Sequence, residues 1–163
     1  MAATSTLLTK RCRDICNTFP AYTFSSGEGF WWFPDKNTIF FRQPQHNEDI
    51  WDLLHEIAHA ELGHVAYTLD IELIQYETQA WSHVTSVLAP RFAITVNPDH
   101  IQDHLDTYRH WMFTRSTCPS CSLTGLQTKN TYRCVNCRCS WRANEARLCA
   151  LRRFRLQGQD QTF

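Results

Sequence analysis

Leu54-His55-Glu56-Ile57-Ala58-His59-Ala60-Glu61-Leu62-Gly63-His64 holds a His-Glu-x-x-His arrangement inside a run of helical periodicity. Residues four apart on an α-helix lie one turn above each other, so His55 and His59 can reach one metal ion together. Glu56 is turned around the helix yet still borders that ion, where it can take a proton from an attacking water. Ile50, Trp51, Leu54, Ile57, Ala58 and Leu62 supply the apolar spacing, which predicts a helix over about 48–62. Asn47 is the expected cap, Glu48 and Asp49 suit the positive end of its dipole, and Gly63 suits its close.

Two imidazoles need a third donor, and the next helix offers one. It starts near Asp70 and is expected to finish before Pro90, with Leu73, Ile74, Ala80, Trp81, Val84, Val87 and Leu88 as its apolar stripe. Glu77 falls on the same face. A carboxylate directed at a core costs several kcal/mol unless it is paired or bound to a metal. Glu77 is therefore either a metal ligand or the partner of a buried Arg or His. Glu72 lies on the polar side with Gln79 and His83. A third histidine at the His-x-x-Gly-x-x-His spacing is absent, since Gly63 and His64 are each out of step. His64 reads as a helix-end residue or a group that supports the ligands. No His-Gly dipeptide occurs in the chain.

Upstream, Phe30-Trp31-Trp32-Phe33 and Thr38-Ile39-Phe40-Phe41 flank Pro34-Asp35-Lys36-Asn37, the pattern of a hairpin. Alternation places Trp31 and Trp32 on opposite faces. An opening helix over about 5–18 carries Leu8, Cys12, Ile15 and Phe19 on one face, and Ser25-Ser26-Gly27-Glu28-Gly29 breaks the chain after it. Asn97-Pro98-Asp99 opens a later helix with Ile101, Leu105, Tyr108 and Met112 as its stripe.

Downstream, Cys118-Pro119-Ser120-Cys121 and Cys134-Val135-Asn136-Cys137 are two Cys-x-x-Cys knuckles that can donate four thiolates to one tetrahedral Zn²⁺. The two-residue gap favours Cys137 over Cys139 as the fourth ligand. A closed Cys₄ site has no open position, so it builds structure rather than catalysing. Cys12, Cys16 and Cys149 read as small buried apolar residues. An Arg-rich helix is expected over about 143–156. Arg138, Trp141, Arg142, Arg147, Arg152, Arg153 and Arg155 provide cationic and aromatic groups suited to nucleic acid, or to an acidic partner.

The chain has 163 residues and no net charge, but the halves are opposite in sign. Up to residue 113 there are 7 Lys/Arg against 14 Asp/Glu, and from 114 onward 9 against 2. An acidic body with a basic appendage follows. No apolar run approaches the roughly 18 residues of a membrane span. The first ten residues lack a basic-then-apolar signal pattern, so the expected location is cytoplasmic.

His55-Glu56-Ile57-Ala58-His59-Ala60-Glu61-Leu62-Gly63-His64, preceded by Asn37-Thr38-Ile39-Phe40-Phe41, resembles the ImmA/IrrE group of minigluzincin metallopeptidases. Glu77-Thr78-Gln79-Ala80 followed by Val87-Leu88-Ala89-Pro90 is similar to that group's Glu-x-x-Ala helix and closing Leu-x-Pro. The likeness spans about residues 5–92. It implies an α+β, zincin-like metallopeptidase domain with a small sheet beside the two metal-binding helices, and an edge strand that holds substrate by backbone pairing. Members are implied to be cytosolic regulators, several of which cleave a DNA-binding repressor. The sequence departs from gluzincins four residues after the glutamate, where Asp or Asn is common and Trp81 stands here.

The resulting expectation is an α+β chain with a metallopeptidase domain over 1–113, a Cys₄ zinc ribbon over 114–142 and a basic helix and tail over 143–163. Two Zn²⁺ per chain are expected, one catalytic at His55, His59 and Glu77 and one structural at Cys118, Cys121, Cys134 and Cys137. Glu56 is the general base, and Tyr67, Tyr76 and His83 are candidates for stabilising the oxyanion. The expected activity is cleavage of a specific cytosolic protein, which a DNA-bound regulator would satisfy. The rivals are a SprT-like protease acting on DNA-associated proteins and a non-catalytic nucleic-acid-binding or regulatory adaptor.

Overall fold

A computed structural model describes residues 2–146 and 149–156. The chain is mixed helix and sheet and divides into two compact units, Met1–Ala66 with Tyr76–Gln102 and Tyr67–Gln75 with Asp103–Phe163. No helix among the described residues is long and apolar enough to cross a membrane.

In the first unit, α1 (Ala2–Asn17) buries Leu8, Cys12 and Ile15, the stripe its periodicity predicts. A three-stranded sheet follows, in the order β1 (Thr23–Ser26), β3 (Thr38–Phe41), β2 (Trp31–Phe33). The hairpin is present: β2 and β3 are antiparallel, with Trp32 opposite Ile39, and Pro34–Lys36 forms one 3₁₀ turn between them. Strand β1, parallel to β3, lies in a stretch without strong alternation and was not expected. Trp31 stacks on Phe40 at 5.1 Å, and a Cβ on Gly27 would come within 2.9 Å of the Trp31 ring. The glycine that breaks the sequence is thus the one that lets this ring lie flat.

Helix α2 (Asn47–Glu61) presents Ile50, Leu53, Leu54, Ile57 and Ala58 to the core. Its cap differs from expectation. Asn47 is already helical, and the buried Asp49 reaches back to accept the backbone N–H groups of Gln45 and His46 at 2.7 and 2.8 Å. Arg42 donates to the other oxygen of Asp49 at 2.6 and 3.0 Å. Burial alone would raise this carboxyl, but the two N–H donors and the guanidinium outweigh it and hold it below the usual range.

Helical turns do not end with α3 (Asp70–His83) but continue past Pro90. The helix widens into a π segment, Val84–Leu88, and runs on through α4 (Ala89–Arg91). The Ala89 N–H bonds the Val84 carbonyl, and Pro90 occupies the first turn of α4, where its missing N–H leaves no bond unmade. Helix α5 (Pro98–Ser116) starts as predicted, with the Asn97 side chain accepting the Asp99 N–H at 3.0 Å.

The second unit contains an antiparallel sheet in the order β4 (Gly125–Thr128), β5 (Thr131–Cys134), β6 (Ser140–Ala143), β7 (Arg153–Arg155). Among the described residues of 143–156 there is no helix, and β7 lies where its last turn was expected. Asn144 competes for the backbone: its side chain accepts the Arg152 N–H at 2.7 Å and donates to the Ala150 carbonyl, turning the chain so that β7 pairs with β6. Arg147 and residues 157–163 of the expected tail lie outside the described residues. Cys149 is exposed rather than a core residue. Trp141 stacks on Tyr132 at 5.5 Å, and a Cβ on Gly125 would collide with the Trp141 ring at 2.3 Å.

At the base of this sheet, the buried Asp70 accepts from Arg115 at 2.6 and 3.2 Å, from the Tyr132 hydroxyl, and from Gln127 at 3.3 Å. The Trp141 indole N–H donates to the Arg115 carbonyl at 2.9 Å. Removing one member of a buried ion pair strands the other charge. Arg115→Ala should lower unfolding stability by about 3–5 kcal/mol in urea titrations, and Asp70→Asn in the same chain should recover part of it. The depressed carboxyl of Asp49 stabilises the fold fully above its unfolded value of about 4, and this contribution disappears as pH falls through the lower folded value. Asp49→Asn should therefore be less stable than wild type at pH 7, the difference shrinking in denaturation curves taken toward pH 2.

Candidate metal centres

Helices α2 and α3 bring His55, His59 and Glu77 together. His55 Nε2 lies 2.9 Å from Glu77 Oε2, His59 Nε2 lies 3.0 Å from His55 Nε2, and His59 Nε2 lies 3.6 Å from Glu77 Oε2. Donors held at about 2.0–2.1 Å around a tetrahedral ion would lie about 3.3 Å apart. Three donor atoms with these separations fit one cation, and the group could hold a metal ion. Burial pushes the Glu77 carboxyl up, but hydrogen bonds and charge from both imidazoles overcome it and hold it far below its usual range. Burial likewise disfavours the charged form of His59, and Glu77 and Glu56 reverse the shift upward.

The site has supports that the sequence did not announce. His64 follows the turn after α2, where Gly63 takes φ +66°. Its Nδ1 meets His59 Nδ1 at 2.8 Å, and its Nε2 meets Gln79 Oε1 at 3.1 Å. The amide oxygen can only accept, so His64 Nε2 carries the proton. Burial and the neighbouring His59 lower the His64 pKa, which keeps the ring neutral and leaves its Nδ1 as an acceptor. His59 Nδ1 must then be the donor, and His59 Nε2 faces His55 and Glu77. The Tyr76 ring stacks flat on His64, 4.3 Å away at 12°. Trp81, at the position where Asp or Asn is common in gluzincins, stacks on His55 at 4.4 Å. The partner of His59 is thus supplied by the chain after α2 instead of by α3.

Glu56 sits beside this cluster against the edge strand. The Trp32 backbone N–H, turned away from β3, donates to Glu56 Oε2 at 2.6 Å, and the Trp32 indole donates to the His64 carbonyl at 2.9 Å. Burial is the main cause that pushes the Glu56 carboxyl up to about 7; His59 opposes the rise and Glu77 adds to it. The residue as a whole keeps partial exposure. Of the three oxyanion candidates, Tyr76 stacks on His64, His83 Nε2 faces Glu61 at 2.7 Å, and the Tyr67 hydroxyl donates to Glu145 at 3.3 Å. Glu72, set aside as a ligand, accepts the N–H groups of Thr68 and Leu69.

Cys118, Cys121, Cys134 and Cys137 also converge and could hold a metal ion. Cys118 and Cys137 sulfurs are 3.5 Å apart and those of Cys121 and Cys134 are 3.4 Å apart, close to the roughly 3.8 Å of a tetrahedral thiolate site. Each knuckle ends in a left-handed residue, Ser122 at φ 62° and Arg138 at φ 60°, so the two halves turn alike. Burial opposes ionisation of Cys118, yet the backbone N–H groups of Ser120 and Cys121 bring its thiol down to about 6, toward the ligating form. Cys139 packs instead against the Tyr132 and Trp141 core.

No protein-family model, curated protein or solved structure matches this chain. The chemistry of both centres is therefore read from their own residues.

The suggested nucleic-acid contacts separate under the geometry. Trp141 has 0 % exposure and offers no ring face to a base, because its alternation in β6 turns it inward. Arg153 and Arg155 donate to the carbonyls of Thr117 and Pro119. Arg138, Arg142 and Arg152 are exposed. A group that orients a metal-binding imidazole typically contributes about 10- to 100-fold in metal affinity. His64→Ala should lower affinity at the His55 site by that factor in chelator competition, while the Cys₄ site retains its metal.

Proposed function

We propose that the chain is a zinc-dependent endopeptidase. The observation that carries this reading is the convergence of His55 Nε2, His59 Nε2 and Glu77 Oε2 within 3.6 Å of one another, with Glu56 bonded to the backbone of the edge strand β2. Two imidazoles and one carboxylate are the donor set of a catalytic zinc, whereas four thiolates are that of a structural one. The mixed helix-and-sheet arrangement of residues 23–91 is read as zincin-like on the same ground. Bound at the first site, the ion would polarise a peptide carbonyl and acidify water.

The remaining work belongs to the protein. Strand β2 borders the sheet, and an extended peptide pairing with it would place its backbone along Glu56. A substrate carbonyl would compete for the Trp32 N–H, releasing Glu56 Oε2. Glu56 then accepts a proton from water and returns it to the leaving amine. Glu77 and His59 stay fixed through the cycle because both are buried, and the His64 contact prevents the His59 ring from rotating. The ribbon, a separate module, is read as recruiting the substrate protein.

Elemental analysis should find two zinc ions per wild-type chain and about one in Glu77→Ala. Glu56→Gln should keep both yet lose about 10²–10⁴-fold in cleavage rate, read as new termini by mass spectrometry of an unfolded peptide library. Equal cleavage by Glu56→Gln, or unchanged zinc content in Glu77→Ala, defeats the assignment. Preserved biological function in Glu56→Gln would instead favour an adaptor.

A further inference from the structure

The ribbon sheet has two unlike faces. Tyr132 and Trp141, paired in register, fill the inner one. On the outer face Leu126 pairs with Arg133, Arg133 with Ser140, and Arg142 with Phe154. Side chains directly opposite in a sheet share a face, and residues two apart along a strand share it too, so Ser140 and Arg142 join these rows into one surface. Leu126 is 67 % exposed, Phe154 51 % and Val135, at the adjoining knuckle, 68 %. A hollow of about 380 Å³ opens at this end, lined by Leu126, Thr128, Arg133, Cys134, Val135 and Arg138.

The charge on this surface has one sign. Residues 117–144 contain no Asp or Glu. From 117 to 156 there are 8 Lys/Arg against 1 Glu, and four thiolates around Zn²⁺, net −2, would still leave about +5. The carboxylate ion pairs of this unit involve Arg109 and Arg115, and among the described residues Arg133, Arg138 and Arg142 have no such partner. Cations without carboxylates call for a polyanion. The exposed Phe154 ring, flanked by arginine, and the neighbouring apolar side chains discriminate further. A duplex hides its bases and would use only the arginines, whereas an unpaired strand offers base faces to stack on and phosphates to neutralise.

We propose that the outer face of β4–β7 binds single-stranded nucleic acid, with Phe154 stacking on a base and Arg133, Arg138 and Arg142 contacting phosphates. This surface is independent of the peptidase reading, and the test is arranged so that cleavage plays no part. The full zinc-loaded chain carrying Glu56→Gln is titrated into a fluorescein-labelled 20-nucleotide single-stranded DNA and into the same sequence as duplex, following anisotropy from 50 to 200 mM salt. Tighter binding to the single strand is expected. Phe154→Ala should weaken it about 5- to 100-fold and leave duplex binding almost unchanged. Arg133→Ala with Arg142→Ala should flatten the log–log salt slope by about 1.4. Phe154→Leu, which keeps an apolar strand residue but no ring, gives the same reading should the alanine variant lose zinc or fold. Absence of binding at 50 mM salt overturns the proposal, as does equal affinity for duplex with no effect of either Phe154 variant. Displacement of the oligonucleotide by poly-glutamate at equal charge concentration also overturns it, in favour of an acidic protein partner.

Discussion

A carboxylate held out of water is tolerated only where charge or strong donors meet it, and the interior of the first unit is organised around such a case. Glu77 is buried, with the imidazoles of His55 and His59 at 2.9 and 3.6 Å. Attraction between these groups aligns α3 with α2, and the apolar residues on either side, Leu54, Ile57, Ala58, Ala80, Trp81 and Val84, close around them. The same three atoms that reconcile this charge with the core are the ones whose spacing suits a cation. Packing and chemistry are served by a single cluster.

Support for that cluster comes from an unexpected direction. Trp81 covers His55 with an indole face and offers no carboxylate to His59. The donor–acceptor chain instead passes from His59 through His64 to Gln79, with Tyr76 fixing the His64 plane. A neutral ring in this position fixes the tautomer of His59 without adding negative charge beside Glu77 and Glu56, where a further carboxylate would be repelled.

What the sequence made legible was local. His55, Glu56 and His59 lie within one helical turn, the four ribbon cysteines within two short turns, and Glu77 on a face that periodicity defines. Each of these patterns is fixed by spacing alone. The relay through His64 was visible only as a histidine after a glycine, because its partners come from another helix. Strand β1 is a short, half-exposed edge strand that pairs in parallel with β3, so neither an apolar run nor a tight turn marks it. The supposed helix over 143–156 failed because arginine-rich composition says nothing about Asn144 bonding its neighbours' backbone, and Trp141 was misjudged because the sheet decides which way alternate residues turn. Helical continuity across Pro90 depends on a widened turn that no residue-level rule would have located.

The donor that meets Glu56 belongs to the main chain. An amide hydrogen at position 32 is presented by nineteen of the twenty amino acids, so drift in the side chain leaves it intact, and proline alone deletes it. The indole at the same position, by contrast, is irreplaceable in its bond to the His64 carbonyl. One residue thus ties an irreplaceable ring and a nearly indestructible backbone group to the same few ångströms of the site, and variation at position 32 would loosen the wall of the cleft long before it disturbed the base.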